Sequence, residues 1–192
     1  MALMAFFTTT ASFAQWNKGS LTIQPKVGLN VANVTDGDGT DSRIGLAVGA
    51  EFEYRLSPVF SLSAGALYSM QGCKANVEDD EGNSGELSSK LDYINVPILA
   101  NVYVAKGLAV KLGIQPGLNV RHKASATVSG VNVSTNFPGI KSIDFSIPVG
   151  ISYEFNRFVI DGRYNFGLTK LTDQADSKNS VFQFTFGYKF AL

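Results

Sequence analysis

The chain of 192 residues is short of charge, cysteine and histidine, and it has no long apolar run. Charged residues make up 17% of it, against roughly 25% in ordinary soluble domains. Lysine plus arginine equals aspartate plus glutamate at 16 each, so no basic surplus exists to hold nucleic acid, and none is expected as a partner. A single cysteine, Cys73, excludes an internal disulfide and a four-cysteine zinc site. A single histidine, His122, leaves little scope for histidine-based metal or triad chemistry. No window approaches the roughly 18 to 20 continuous apolar residues of a membrane helix. What is abundant is glycine, at 19 residues, and aromatics, at 11%.

Apolar residues take every second position in eight segments: Leu21–Asn33, Ile44–Leu56, Phe60–Gln71, Tyr93–Val104, Leu108–Arg121, Ile143–Phe155, Phe158–Leu168 and Val181–Leu192. A strand sends successive side chains to opposite faces, so each segment has one greasy and one small or polar face. Period 2 sustained over eight such segments predicts an all-β, antiparallel architecture. The connections alternate in length. Ser57–Val59, Ala105–Gly107 and Asn156–Arg157 are short, whereas Val34–Arg43, Gly72–Asp92, His122–Ser142 and Thr169–Ser180 are long and polar. Gly107 suits the left-handed position of a hairpin loop, and Asn156 tolerates positive φ. Short turns at one end and long loops at the other predict an eight-stranded up-and-down barrel with both termini on the short-turn side.

Alternation alone leaves open whether the apolar face points inward, as in a soluble lipocalin-like carrier, or outward into lipid. Volume favours outward, because about six apolar side chains from each of eight strands overfill so narrow an interior. The opposite face carries Gly28, Gly45, Gly49, Gly65, Gly113, Gly117, Gly150, Gly167 and Gly187, where a soluble exterior would carry charge. Tyr54, Phe60, Phe155, Phe158, Tyr188 and Phe190 gather near the short turns, with Tyr68, Phe145 and Phe182 nearer the loops, as interfacial girdles do. The expectation is therefore a transmembrane β-barrel in contact with membrane lipid. Its lumen would hold Lys26, Glu51, Glu53, Arg55, Lys111, Arg121, Asp144, Glu154, Asp161, Arg163 and Lys189. Near-balance of sign predicts a structural network of ion pairs, since unpaired buried charge costs several kcal/mol. An ion path is the functional alternative, for which a filled eight-stranded barrel leaves little room.

The apolar Met1–Phe7, followed by Thr8–Ala14 with Ser12 and Ala14 in small-x-small order, predicts an export signal over residues 1–14 and a barrel domain over 15–192. The last stretch, Val181–Leu192, resembles the terminal strand of bacterial outer-membrane barrels, with Phe182, Phe184, Phe186, Tyr188, Phe190 and Leu192 on one face. That resemblance implies a bacterial outer-membrane location and assembly machinery that reads this strand. Tyr93-Ile-Asn-Val-Pro-Ile-Leu-Ala100 resembles the Y-x-x-[IV]-P-[IL]-L motif of a PorT-like outer-membrane barrel family. Gly113-Ile-Gln-Pro-Gly117 and Arg163-Tyr-Asn-Phe-Gly-Leu168 are similar to further stretches of that family. Membership implies an exported eight-stranded barrel. On strand four, Pro97 cannot donate a ladder bond, which predicts a local irregularity there.

Three features bear on chemistry. His122 lies near Ser125, a pairing seen in some lipid-modifying barrel enzymes, but no third orienting group is evident. Thr35–Asp41 contains calcium-like Asp36, Asp38 and Asp41 without the closing glutamate of a calcium loop, so a solvated turn is expected. Glu78–Glu81 reads as solvated loop charge, and Cys73 is assigned no role. The reading is a non-enzymatic barrel without a cofactor, structural or contacting a surface partner through its loops. A lipid-modifying enzyme or a small pore is the alternative, and the soluble carrier comes third.

Overall fold

Each alternating segment forms a strand that pairs antiparallel with its neighbours, and the last strand returns to the first. The computed structural model describes residues 16–35, 40–78, 84–128, 131–136, 139–172 and 176–192. In chain order the segments are β1 (Leu21–Val34), β2 (Thr40–Ser57), β3 (Phe60–Glu78), β4 (Ser84–Asn95), β5 (Ile98–Ala105), β6 (Leu108–Val128), β7 (Val131–Asn136), β8 (Ile143–Phe155), β9 (Phe158–Gly167), β10 (Asn179–Tyr188) and β11 (Phe190–Ala191). They make eight staves, because β4 with β5, β7 with β8, and β10 with β11 are interrupted pairs whose two parts lie against a common neighbour. Closure is through β1, which pairs Leu29 with Phe184 and Ile23 with Phe190.

Two interruptions coincide with proline, which has no N–H to give the ladder. Pro97 separates β4 from β5, where irregularity was expected, and its carbonyl still accepts from Gly65 N at 3.1 Å. The gap between β10 and β11 lies where the register brings Pro25 opposite Tyr188. The short turns match the sequence expectation. Gly107 has φ +75°, and the Asn156–Arg157 turn places both residues at positive φ, +48° and +77°. Two positive values define the type I′ hairpin whose twist suits antiparallel strands.

The phase of every stave is apolar outward and polar inward. Val27, Leu29, Ile44, Leu46, Phe52, Val110, Leu112, Ile151, Ile160 and Phe184 are all exposed on the outer wall. The lumen face of the same strands is buried and mostly polar. A lipocalin-like carrier requires the reverse phase, so that reading is excluded. Outer-wall rings pack in two clusters on β9, β10 and β11. Phe158 meets Tyr188 at 5.0 Å and Tyr188 meets Phe190 at 4.8 Å near the short turns, while Tyr164 meets Phe182 at 4.5 Å towards the loops.

Several glycines serve backbone approach more than lumen volume. A Cβ on Gly28 would lie 1.9 Å from Phe184 O, and one on Gly49 would lie 2.1 Å from Ala66 O. Both contacts are with the adjacent strand's main chain, so a side chain at either position would force neighbouring staves apart.

The expected long connections Gly72–Asp92 and His122–Ser142 are corrected. β3 continues to Glu78 and β4 begins at Ser84, while β6 continues to Val128 and pairs with β7. These hairpins project past the apolar belt. With no lipid on either side, neither face needs to be greasy, and the period-2 signal disappears although the ladder does not. The export segment 1–14 and the residues Asp36, Asp38 and 79–81 lie outside the described residues.

Candidate functional site

The lumen is the feature that sequence reasoning singled out, and it divides into a mouth at the short turns, called the inner mouth, a middle, and a mouth at the long hairpins, called the outer mouth. At the inner mouth, near the short turns, Glu53 is the hub. Lys189 Nζ lies 2.7 Å from Glu53 Oε2 and 2.7 Å from Glu154 Oε2. Tyr103 and Ser61 hydroxyls each donate to Glu53 Oε1 at 2.6 Å. The Arg55 guanidinium is 3.7 Å from Glu53 and stacks 3.6 Å from the Tyr103 ring centroid. Trp16 comes across from before β1, its Nε1 donating to Glu154 Oε1 at 2.6 Å and its ring facing Arg157. Gly19 N donates to Arg55 O at 2.8 Å, tying that leading segment to the rim. A planar aromatic with one polar edge suits a position where an apolar body must end on a charged network.

In the middle, five charges from four staves meet. Arg163 donates from Nε to Asp161 Oδ1 at 2.8 Å and from Nη2 to Asp161 Oδ2 at 2.9 Å, a two-pronged pairing. Its Nη1 lies 3.0 Å from Glu51 Oε1. Lys111 Nζ is 2.5 Å from Asp161 Oδ2, and Lys26 Nζ is 2.9 Å from Glu51 and 3.7 Å from Asp161. Above this cluster a neutral layer crosses the lumen. Gln183 Nε2 donates to Asn30 Oδ1, and Asn30 Nδ2 donates to Ser69 Oγ, both at 2.9 Å.

At the outer mouth the lining turns apolar. Leu91, Tyr93 and Leu171 form a buried cluster with Val34 and Ile140 packed against it. Beside it, Asn179 Nδ2 donates to Asp144 Oδ2 at 3.4 Å. On the loop above, Lys170 bonds Asp176, and that hydrogen bond holds the Asp176 carboxyl below its ordinary range.

Ten of the eleven expected lumen charges are therefore buried: Lys26, Glu51, Glu53, Arg55, Lys111, Asp144, Glu154, Asp161, Arg163 and Lys189. Arg121 is not among them, and its side chain is 47% exposed. The register slips between Asp92/Arg121 and Tyr93/Asn119, so Val120 is an extra residue on β6. Such a bulge reverses the phase beyond it and turns Arg121 to the outer wall. Sequence reasoning missed Arg43 and Asp92, both buried, because it placed them at loop ends. His122 and Ser125 are not brought together. They stand three positions apart on one strand, hence on opposite faces, with His122 exposed and Ser125 buried. Among the described residues, no group of three or more His, Cys, Asp or Glu is placed to hold a metal ion.

A closed ring of eight antiparallel staves, apolar outside and ion-paired inside, is a small integral β-barrel of the bacterial outer membrane. Residues 13–173 match the outer membrane protein beta-barrel domain family, and the chain belongs to it. Among solved structures, it is similar to Ail, the attachment invasion locus protein of Yersinia pestis, at 19% identity and TM-score 0.51, over 90% of this chain and 99% of that one. It is also similar to Neisserial surface protein A, at 15% identity and TM-score 0.49, over 90% of this chain and 100% of that one. No curated protein matches the chain.

Proposed function

We propose that this protein is a non-enzymatic barrel with a closed lumen, which stiffens the membrane locally or meets a surface partner through its long hairpins. The observation that carries this reading is the five-charge cluster of Lys26, Glu51, Lys111, Asp161 and Arg163 across the middle of the lumen. Paired charges fixed by several hydrogen bonds block a narrow bore. The separation of His122 from Ser125 speaks against hydrolytic chemistry at the outer rim.

Within the outer-membrane barrels we place the chain beside the PorT-like proteins. Support comes from Tyr93-Ile-Asn-Val-Pro-Ile-Leu-Ala100, whose Tyr93, Asn95 and Leu99 are buried in the lumen, and from Gly113–Gly117 and Arg163–Leu168. Residues 1–14 serve as the export signal of a barrel domain spanning 15–192, and the aromatic terminal strand serves the assembly machinery.

Purified protein in planar bilayers is expected to show no steady large conductance. Reproducible ohmic channels, absent from a mock preparation, would make the pore reading the better one. Orientation is tested separately. In a Cys73→Ser background, Asp176→Cys is expected to react with an impermeant maleimide in intact cells, and Lys106→Cys only after the outer membrane is ruptured. The opposite pattern would invert the barrel.

A further inference from the structure

Just beyond the apolar belt, the outer wall of β4 and β6 carries a concentrated basic stripe. Lys90 and Lys123 stand directly opposite each other in the register. Arg121 lies two positions from Lys123 on the same face, and the bulge at Val120 is what turned it outward. Like charges directly opposite on a sheet repel, so this arrangement is unfavourable unless an anion is shared between them. One carboxylate, Asp92, stands beside the stripe, pairing with Arg121 and shared with two further groups, so the three cations keep a surplus of positive charge. Its Oδ2 accepts from Tyr68 OH at 2.7 Å and lies 3.6 Å from Arg121 Nη1, while its Oδ1 lies 4.0 Å from Arg43 Nη1. Immediately below, Ile94, Leu118 and Tyr68 are exposed to the hydrocarbon. A greasy wall ending in three cations is matched by a molecule with acyl chains below and a multiply charged anion above.

We propose that Lys90, Arg121 and Lys123 form a binding site for the phosphorylated headgroup of an outer-leaflet lipid, whose chains lie along Ile94, Leu118 and Tyr68. Arginine provides a planar fork for phosphate oxygens, and the two lysines provide mobile point charges on either side. The leaflet assignment rests on the long hairpins facing outward. The chemistry does not, because the stripe borders the apolar belt in either orientation.

The test uses the full chain folded in detergent micelles and native mass spectrometry. Three probes are titrated: lipid A as a bisphosphorylated glycolipid, the same lipid with its phosphates removed, and inorganic phosphate. Wild-type protein is expected to retain the phosphorylated lipid and to bind the dephosphorylated one far more weakly. Combining Lys90→Gln, Arg121→Gln and Lys123→Gln is expected to lower affinity about a hundredfold, at roughly a factor of five per basic residue. Lys170→Gln with Lys178→Gln, elsewhere on the rim, should change nothing. Lys123→Gln alone, about fivefold weaker, serves if the triple variant does not fold. Wild-type affinity in the substituted proteins would overturn the proposal. Complete displacement of lipid by millimolar phosphate would assign the site to a free anion instead. An open lumen would appear as conductance and leave these affinities unmoved, so the two readings fail separately.

Discussion

Asp161→Asn is expected to destabilise the barrel by roughly 3–5 kcal/mol, the usual result of removing one partner from a buried ion pair. Asp161 is fully buried and is approached by Arg163, Lys111 and Lys26. In the native cluster those three cations face two carboxylates, Asp161 and Glu51. After the substitution they face one, in a bore that water cannot freely enter. Asparagine keeps the size and can still accept one hydrogen bond, so the experiment isolates charge from packing. The readout is the urea midpoint of the mobility shift between folded and unfolded barrel on gels. Adding Lys111→Met, which removes one surplus cation, is expected to recover part of the loss as a positive coupling energy. An unchanged midpoint in Asp161→Asn would show that the cluster is not energetically connected.

The second large effect is on the outer wall. Phe184→Arg is expected to cost roughly 2–4 kcal/mol if its position is near the bilayer midplane, since it places a charge in hydrocarbon. It also interrupts the aromatic face of the terminal strand, so folding yield in cells should fall further than stability in detergent. Phe184 is 56% exposed and its neighbour Thr185 is 3% exposed, which fixes their opposite directions. Alternation alone suggests that arginine at Thr185 would be the milder change, because it enters a polar lumen. The register revises this. Thr185 lies opposite Asp161 on one side and Gly28 on the other. A fourth cation beside Lys26, Lys111 and Arg163 would overcrowd the cluster. Thr185→Val is therefore the mild control, since it keeps the volume close and adds no charge. Equal tolerance of Phe184→Arg and Thr185→Val in lipid would contradict the assignment of the faces.

The residues that could be read correctly from sequence are those whose two faces meet different media. From Ile143 to Phe155 the expected segment and β8 coincide, because lipid on one side and packed polar groups on the other enforce period 2. The same contrast places Lys26, Glu51 and Asp161 inside. It fails for residues 72–78, 84–92, 122–128 and 131–136, which stand beyond the lipid and carry no such contrast. It fails again at Arg121, because one extra residue in a strand reverses everything after it and leaves no mark in composition. Leu91 and Leu171 looked like isolated apolar residues in polar stretches. Their partnership at the outer mouth depends on a contact between distant parts of the chain, which no local pattern encodes. Trp16 belongs to the same group, since its partner Glu154 lies 138 residues away.

Probe environment at two adjacent positions tests the central claim, a barrel greasy outside and closed inside, most directly. Phe184→Cys and Thr185→Cys are made singly in a Cys73→Ser background. The first is labelled with a fluorophore and the protein reconstituted in bilayers that carry quenchers on the lipid chains. The account predicts strong quenching at position 184, and negligible reaction of either thiol with a water-soluble maleimide once the barrel is folded. Free reaction of either thiol with the aqueous reagent, or a probe at 184 indifferent to the lipid quenchers, would contradict it.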